Sequence, residues 1–135
     1  MIQKFRAWNK ATKEMHEADD IVSLNFEKKQ ICVKTLFFGQ LSYYDFDDII
    51  LMQSTGLKDK NGKEIFEGDV VQYQNTKVPS ADSKGVIRYF DNWAMFGIDI
   101  EHNEPRALFF NGLADHISLD VEIIGNTYEN PELLE

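Results

Sequence analysis

Three histidines, one cysteine and two pairs of adjacent acids are the residues here with reactive side chains, and their spacing decides what they can do. His16, His102 and His116 are far apart and none stands four residues from another, so no helix face offers two of them to a metal. Cys32 has no second cysteine to complete a structural zinc site. Asp19-Asp20 and Asp47-Asp48 are neighbours in the chain; in a strand they would point to opposite faces, which suits solvated acids better than a cooperating carboxylate pair. A hydrolase or nuclease would need His102, His116 and an acid such as Asp69 to converge in one pocket from distant stretches.

Gly56, Gly62 and Gly68 recur every six residues, and Gly62-Lys63 looks like the end of a phosphate loop. The detail fails. Five residues rather than four separate Gly56 from Gly62, and Glu64 stands where a Ser or Thr should hold magnesium. A carboxylate there would also repel phosphate. There is neither a Gly-x-Ser-x-Gly elbow nor a dinucleotide fingerprint. Cys32 lies between Ile31 and Val33, the setting of a buried, inert thiol. The sequence therefore reads as a non-enzymatic chain, with no catalytic residues, no cofactor and no metal.

Binding residues are easier to nominate. Lys4-Phe5-Arg6-Ala7-Trp8 interleaves cations with aromatics, and the first thirteen residues hold Lys4, Arg6, Lys10 and Lys13 without an acid. In a strand Lys4, Arg6 and Trp8 share one face, where an indole could stack a base while cations meet phosphates. The competing structural account has Trp8 covered by neighbours and Arg6 paired to an acid. Trp93, in Asp91-Asn92-Trp93, sits where a hairpin tip is expected and is a candidate partner anchor. The candidate binding set is thus Lys4, Arg6, Trp8, Lys10, Lys13 and Trp93.

Charge points the same two ways. The chain has 135 residues and a net charge of −9. Residues 1–60 balance nine basic against nine acidic side chains, whereas residues 61–135 carry five basic and fourteen acidic. An acidic surface keeps a protein soluble and speaks to association rather than mechanism. The four cations at the start would release only about four counterions from a nucleic acid, a weak attraction at physiological salt. The longest apolar runs, such as Ile49–Met52, are far short of the roughly 20 residues of a membrane span. No apolar signal segment follows the basic start, and a lone cysteine forms no internal disulfide, so a cytoplasmic location is expected.

The elements are mostly strands. Val22, Leu24 and Phe26 alternate with polar residues, as do Phe96, Ile98 and Ile100, and Leu119, Val121 and Ile123; each pattern places apolar side chains on one face. Shorter β-rich runs occur at 4–8, 30–35, 41–44, 49–53, 69–74, 85–90 and 107–110. About ten short strands suggest a barrel or sandwich. Ala11, Met15 and Ala18 form only a weak helical stripe. Asn130-Pro131-Glu132 before Leu133-Leu134 predicts a short C-terminal helical turn docking two leucines.

Asn61-Gly62 is the dipeptide of a type I′ hairpin, and Glu67-Gly68-Asp69 marks a second reversal. The strand 69–74, a polar loop with Pro79 and a strand opened by Lys84-Gly85 are the start of an SH3-like barrel. The expected fold is mainly β: short-stranded antiparallel sheets, with an SH3-like barrel in the C-terminal part. A seam near Ser54-Thr55-Gly56 separates a β-rich N-terminal region, 1–54, from the barrel region, 55–135.

Three blocks carry a family resemblance. Lys4-Phe5-Arg6-Ala7-Trp8-Asn9 opens the chain. Leu51-Met52-Gln53-Ser54-Thr55-Gly56-Leu57-Lys58-Asp59-Lys60-Asn61-Gly62-Lys63-Glu64-Ile65-Phe66-Glu67-Gly68-Asp69-Val70-Val71 forms the middle, and Ile123-Ile124-Gly125-Asn126-Thr127-Tyr128-Glu129-Asn130-Pro131-Glu132-Leu133-Leu134 the end. Together they resemble the YopX family. The resemblance implies a small, mainly β protein encoded by bacteriophages and prophages, and it brings no activity, catalytic residue or cofactor. Asn9 stands where an aspartate is common, a change that would alter a local turn. The recurring Thr55-Gly56, Asn61-Gly62 and Glu67-Gly68-Asp69 read as turn chemistry.

Two functions follow as expectations. The first is a phage accessory protein that binds a protein partner or itself, its 13% aromatic content serving interfaces. The alternative is a nucleic-acid-binding module acting in phage replication or expression through Lys4, Arg6, Trp8, Lys10 and Lys13. Neither reading involves a membrane.

Overall fold

A computed structural model describes residues 3–35, 39–74, 82–92, 94–99, 106–107 and 121–134. The protein is mainly β and antiparallel throughout its described pairings. It divides into two compact units, Met1–Gln53 and Ser54–Glu135.

In the first unit β1 (Phe5–Asn9) lies between β2 (Glu14–His16) and the first half of β6 (Ile49–Lys58). The hairpin from β1 to β2 replaces the weak helical stripe, and Asn9 is the reason. Its Oδ1 accepts the amides of Ala11 and Thr12 at 3.0 and 3.1 Å, and the Lys13 amide donates to the Asn9 carbonyl at 2.8 Å. Lys13 takes a φ of 60° to close the loop. A side chain that satisfies the backbone in a turn competes directly with helix formation.

A separate three-stranded sheet runs β3 (Ile21–Asn25), β4 (Gln30–Lys34), β5 (Leu41–Asp45), in that order. Ala7, Ile31, Val33 and Ile49 make the buried core of this unit, with Ile21, Leu24, Tyr44, Phe46 and Leu51 packed against it. The expected alternation of Val22, Leu24 and Phe26 is corrected here. The β3–β4 register slips between Ile21 and Ser23, so Ile21 and Leu24 face the core while Val22, the extra residue, points out, 47% exposed. β3 ends at Asn25, and Phe26 in the turn beyond it is 71% exposed. One extra residue in a strand reverses the faces on either side of it.

In the second unit the second half of β6 pairs with β7 (Glu64–Phe66). A five-stranded sheet follows in the order β11 (Arg106–Ala107), β10 (Met95–Asp99), β9 (Asp82–Phe90), β8 (Asp69–Gln74), β12 (Val121–Asn126). Its core is Ile65, Val71, Ile87, Ile98 and Val121, all without exposed surface, flanked by Leu57, Phe96 and Ile123. Burying each such side chain contributes about 1.5–3 kcal/mol. Among the described strands its outer strands β11 and β12 are not paired to each other, and residues 100–105 and 108–120 lie outside the described residues.

The Asn61-Gly62 hairpin is built differently from a type I′ turn. Gly62 has a φ of 82°, while Asn61 is not among the residues with positive φ. The Gly62 amide donates to the Asp59 carbonyl at 3.0 Å, and the Asp59 amide to the Lys63 carbonyl at 2.8 Å. Asp59 Oδ1 accepts the amides of Asn61 and Lys63, both at 2.9 Å. That aspartate fixes an ordinary turn followed by one left-handed residue, so a single glycine suffices.

The described helical structure is 3-10 only: Ala18–Asp20, Phe46–Asp48 and Pro131–Leu134. The two acid pairs lie in the first two of these turns. In the third, Leu133 packs onto Gly125, where a β-carbon would lie 2.7 Å from Leu133 Cδ1. Leu134 stays 42% exposed, so one leucine docks rather than two. No helix among the described residues is long and apolar enough to cross a membrane.

Candidate functional site

The middle block, richest in polar residues with fixed spacing, is turned inward. Thr55, Asp59 and Asp69 are 7%, 6% and 2% exposed. Thr55 Oγ1 donates to the Ile65 carbonyl at 2.8 Å and accepts the Leu57 amide at 3.1 Å. Asp69 Oδ2 accepts the Phe66 amide at 2.8 Å. The Gly68 amide donates to the Ile87 carbonyl, and the Gly68 carbonyl accepts the Thr127 amide. Asn126, also buried, accepts the amides of Tyr128 and Glu129 through Oδ1 and donates through Nδ2 to Glu129 Oε1. Buried polar groups must be bonded, and these bond the backbone of their own turns.

Five of the six nominated binding residues lie on or next to β1 and in the turn that follows it. Lys4, Lys10 and Lys13 are exposed, and Trp8 is half-buried. Arg6 is 5% exposed; it pairs in register with buried Met52 on β6. Lys4, Arg6 and Trp8 all have interaction partners within the protein. β1 is paired on both edges, and along it Arg6, Ala7 and Asn9 are buried while Phe5 and Trp8 stay partly exposed. Trp93, His102 and His116 lie outside the described residues. His16 is engaged locally, its Nε2 3.2 Å from Asn9 Nδ2 and its ring stacked on Tyr44.

A hollow of about 480 Å³ is lined by Lys84, Gly85, Val86, Arg88, Asp99 and the two terminal leucines. Its charges answer one another. Arg88 Nε donates to Asp99 Oδ2 at 2.9 Å, and Lys84 Nζ donates to the Leu133 carbonyl at 3.1 Å.

Exposed apolar side chains stand elsewhere, on the β3–β4–β5 sheet and in the turn after β3. Val22, Phe26, Leu41 and Tyr43 are 47%, 71%, 50% and 63% exposed. On β5, exposed Leu41, Tyr43 and Asp45 alternate with half-buried Ser42 and Tyr44. Tyr43 stands opposite Cys32 in the register. Interaction with the Cys32 side chain, hydrogen bonding first and charge second, and a lesser desolvation hold the tyrosine pKa above its ordinary value. Cys32 itself is buried. Sequence reasoning found β5 as a strand and left this surface unremarked; the signal was present in Leu41 and Tyr43, two large apolar residues at spacing two on a strand without lysine or proline.

An antiparallel sheet of five described strands in one unit and smaller sheets in the other, with the buried polar signature residues bonded to backbone, define a β scaffold; among the described residues no three His, Cys, Asp or Glu side chains gather as metal ligands. The family model described as YopX protein matches residues 4–135, and the chain belongs to the YopX family. It is similar to the crystal structure of protein EF1440 from Enterococcus faecalis, at 34% identity and a TM-score of 0.66, covering 100% of this chain and 99% of that one. The X-ray structure of protein yopX from Bacillus subtilis shares the fold at 20% identity and a TM-score of 0.67, covering 98% of each chain. No curated protein matches the sequence.

Proposed function

We propose that this chain is a phage or prophage accessory protein of the bacterial cytoplasm that works by binding protein, a partner or a second copy of itself, and not by catalysis. The observation that carries this reading is the set of exposed large apolar side chains on one small sheet, Val22, Leu41 and Tyr43, with Phe26 in the turn after β3. Large apolar groups left exposed on one element are a cost that a lone soluble domain limits and a binding surface uses. The polar residues of the middle block support it from the other side, since their bonds are spent on the scaffold.

Light scattering on the purified chain, joined to affinity capture and cross-linking from a host lysate, tests this. An assembly of copies, or a captured protein cross-linked within residues 21–45, is expected. A strict monomer that captures nothing contradicts it.

A nucleic-acid reading draws on the exposure of Lys4, Lys10 and Lys13. Three lysines release about three counterions, so binding would be weak and steeply salt-dependent. Gel shifts across a salt series decide it: no shift at low salt removes the idea.

A further inference from the structure

We propose that two copies of this chain join through the free edge of β5, antiparallel about Tyr43, merging two three-stranded sheets into one of six strands. This deepens the binding-module reading and rests on it.

The backbone supplies the first argument. The Thr35 amide donates to the Gln40 carbonyl at 2.8 Å, and the Phe46 amide to the Lys29 carbonyl at 2.9 Å. Between these closed ends the register runs Gln30 opposite Asp45, Cys32 opposite Tyr43 and Lys34 opposite Leu41. Hydrogen-bonded pairs alternate along an antiparallel ladder. Ser42 and Tyr44 therefore point their backbone groups at β4, while Leu41, Tyr43 and Asp45 point theirs outward. Those same three residues are the exposed ones on the strand. β5 has no partner on its outer side among the described strands.

The two edges of this sheet are not equivalent. β3 carries the register slip at Ile21–Ser23, and a bulge blunts an edge against further pairing. β5 is in continuous register over five residues and carries neither bulge, proline nor lysine. It is the edge left open.

Charge names the occupant. If Tyr43 faces Tyr43 of the second copy, Leu41 faces Asp45, and each copy's Lys34, next to Leu41 on the same face, comes within about 10 Å backbone to backbone of the other's Asp45. A lysine stem laid over Leu41 spans that gap. Lys34 and Asp45 are both exposed. The pattern is self-complementary under a two-fold axis, as a symmetric dimer requires. The first unit also tolerates a like neighbour: residues 1–53 hold seven basic and eight acidic side chains, whereas 54–135 hold seven and fifteen.

Sedimentation equilibrium over micromolar concentrations tests the proposal, with circular dichroism to confirm folding. Wild type is expected at twice 15.6 kDa. Tyr43→Pro removes an amide that points away from β4, so it should leave the sheet folded and the protein monomeric. Lys34→Asp and Asp45→Lys should each raise the dissociation constant about tenfold, and the double exchange should restore it to about the wild-type value. A dimer unmoved by all of these overturns the β5 interface and leaves the binding-module reading standing. A monomer that captures a lysate protein does the same. A monomer that captures nothing overturns both.

Discussion

Asp59 Oδ2 accepts the backbone amide of Ile123 at 3.0 Å, across 64 positions of sequence. The other oxygen of the same carboxylate holds the Asn61 and Lys63 amides. One buried side chain thus shapes the turn between β6 and β7 and ties it to β12. Beside it the Lys60 amide donates to the Val121 carbonyl at 2.9 Å. This is the physical content of the middle block: its polar residues connect the second unit to itself. Asp59→Ala should lower unfolding free energy by about 3 kcal/mol, because three amides lose a charged acceptor inside the protein. Urea denaturation reads it, and a loss under about 0.5 kcal/mol would show that the amides find water instead.

Two glycines should fail for different reasons. Gly62 has open space around it but a φ of 82°, so Gly62→Ala should cost about 1–2 kcal/mol of backbone strain, and Gly62→Asn less. At Gly85 a β-carbon would strike Ile98 Cγ2 and lie 2.9 Å from the Asp99 carbonyl. Gly85→Ala should therefore cost more, and thermal unfolding of the three variants should rank them so.

Asn9 distinguishes acceptor from donor. Asn9→Ala loses two turn amides and should cost about 1–2 kcal/mol. Asn9→Asp keeps the Oδ1 acceptor for both amides, so it should retain most of that stability in the same denaturation experiment.

The Tyr43 phenol ionises above its ordinary value because of its hydrogen-bond and charge interactions with the Cys32 side chain opposite it, with a lesser contribution from desolvation. A raised folded-state pKa favours the neutral, protonated phenol. Its contribution to stability is present below the unfolded tyrosine value and is lost as pH rises through the folded one. Cys32→Ala should shift the Tyr43 ultraviolet titration downward. An unchanged midpoint would mean the thiol does not reach the phenol.

Much of the fold could be read from residue order, because period-two alternation at Phe96–Ile98 and Val121–Ile123 does face the core. The reading broke where a single residue changes the geometry. The slip after Ile21 turned Val22 outward, β3 ended before Phe26, and Asn9 converted a faint helical stripe into a hairpin. For the binding candidates around Arg6, alternation shows which residues share a face but not how deeply each is buried: Arg6 is 5% exposed while Lys4 is open. Leu41 and Tyr43 were visible as a strand, but only pairing order reveals that β5 is an edge.

The claim at the centre is that residues 55–69 build the scaffold while the β3–β5 sheet does the binding. Hydrogen exchange by mass spectrometry, comparing dilute with assembled protein, addresses it most directly. New protection confined to amides of 41–45, with 55–69 equally slow in both states, is the predicted result. New protection within 55–69 and none on β5 would contradict it.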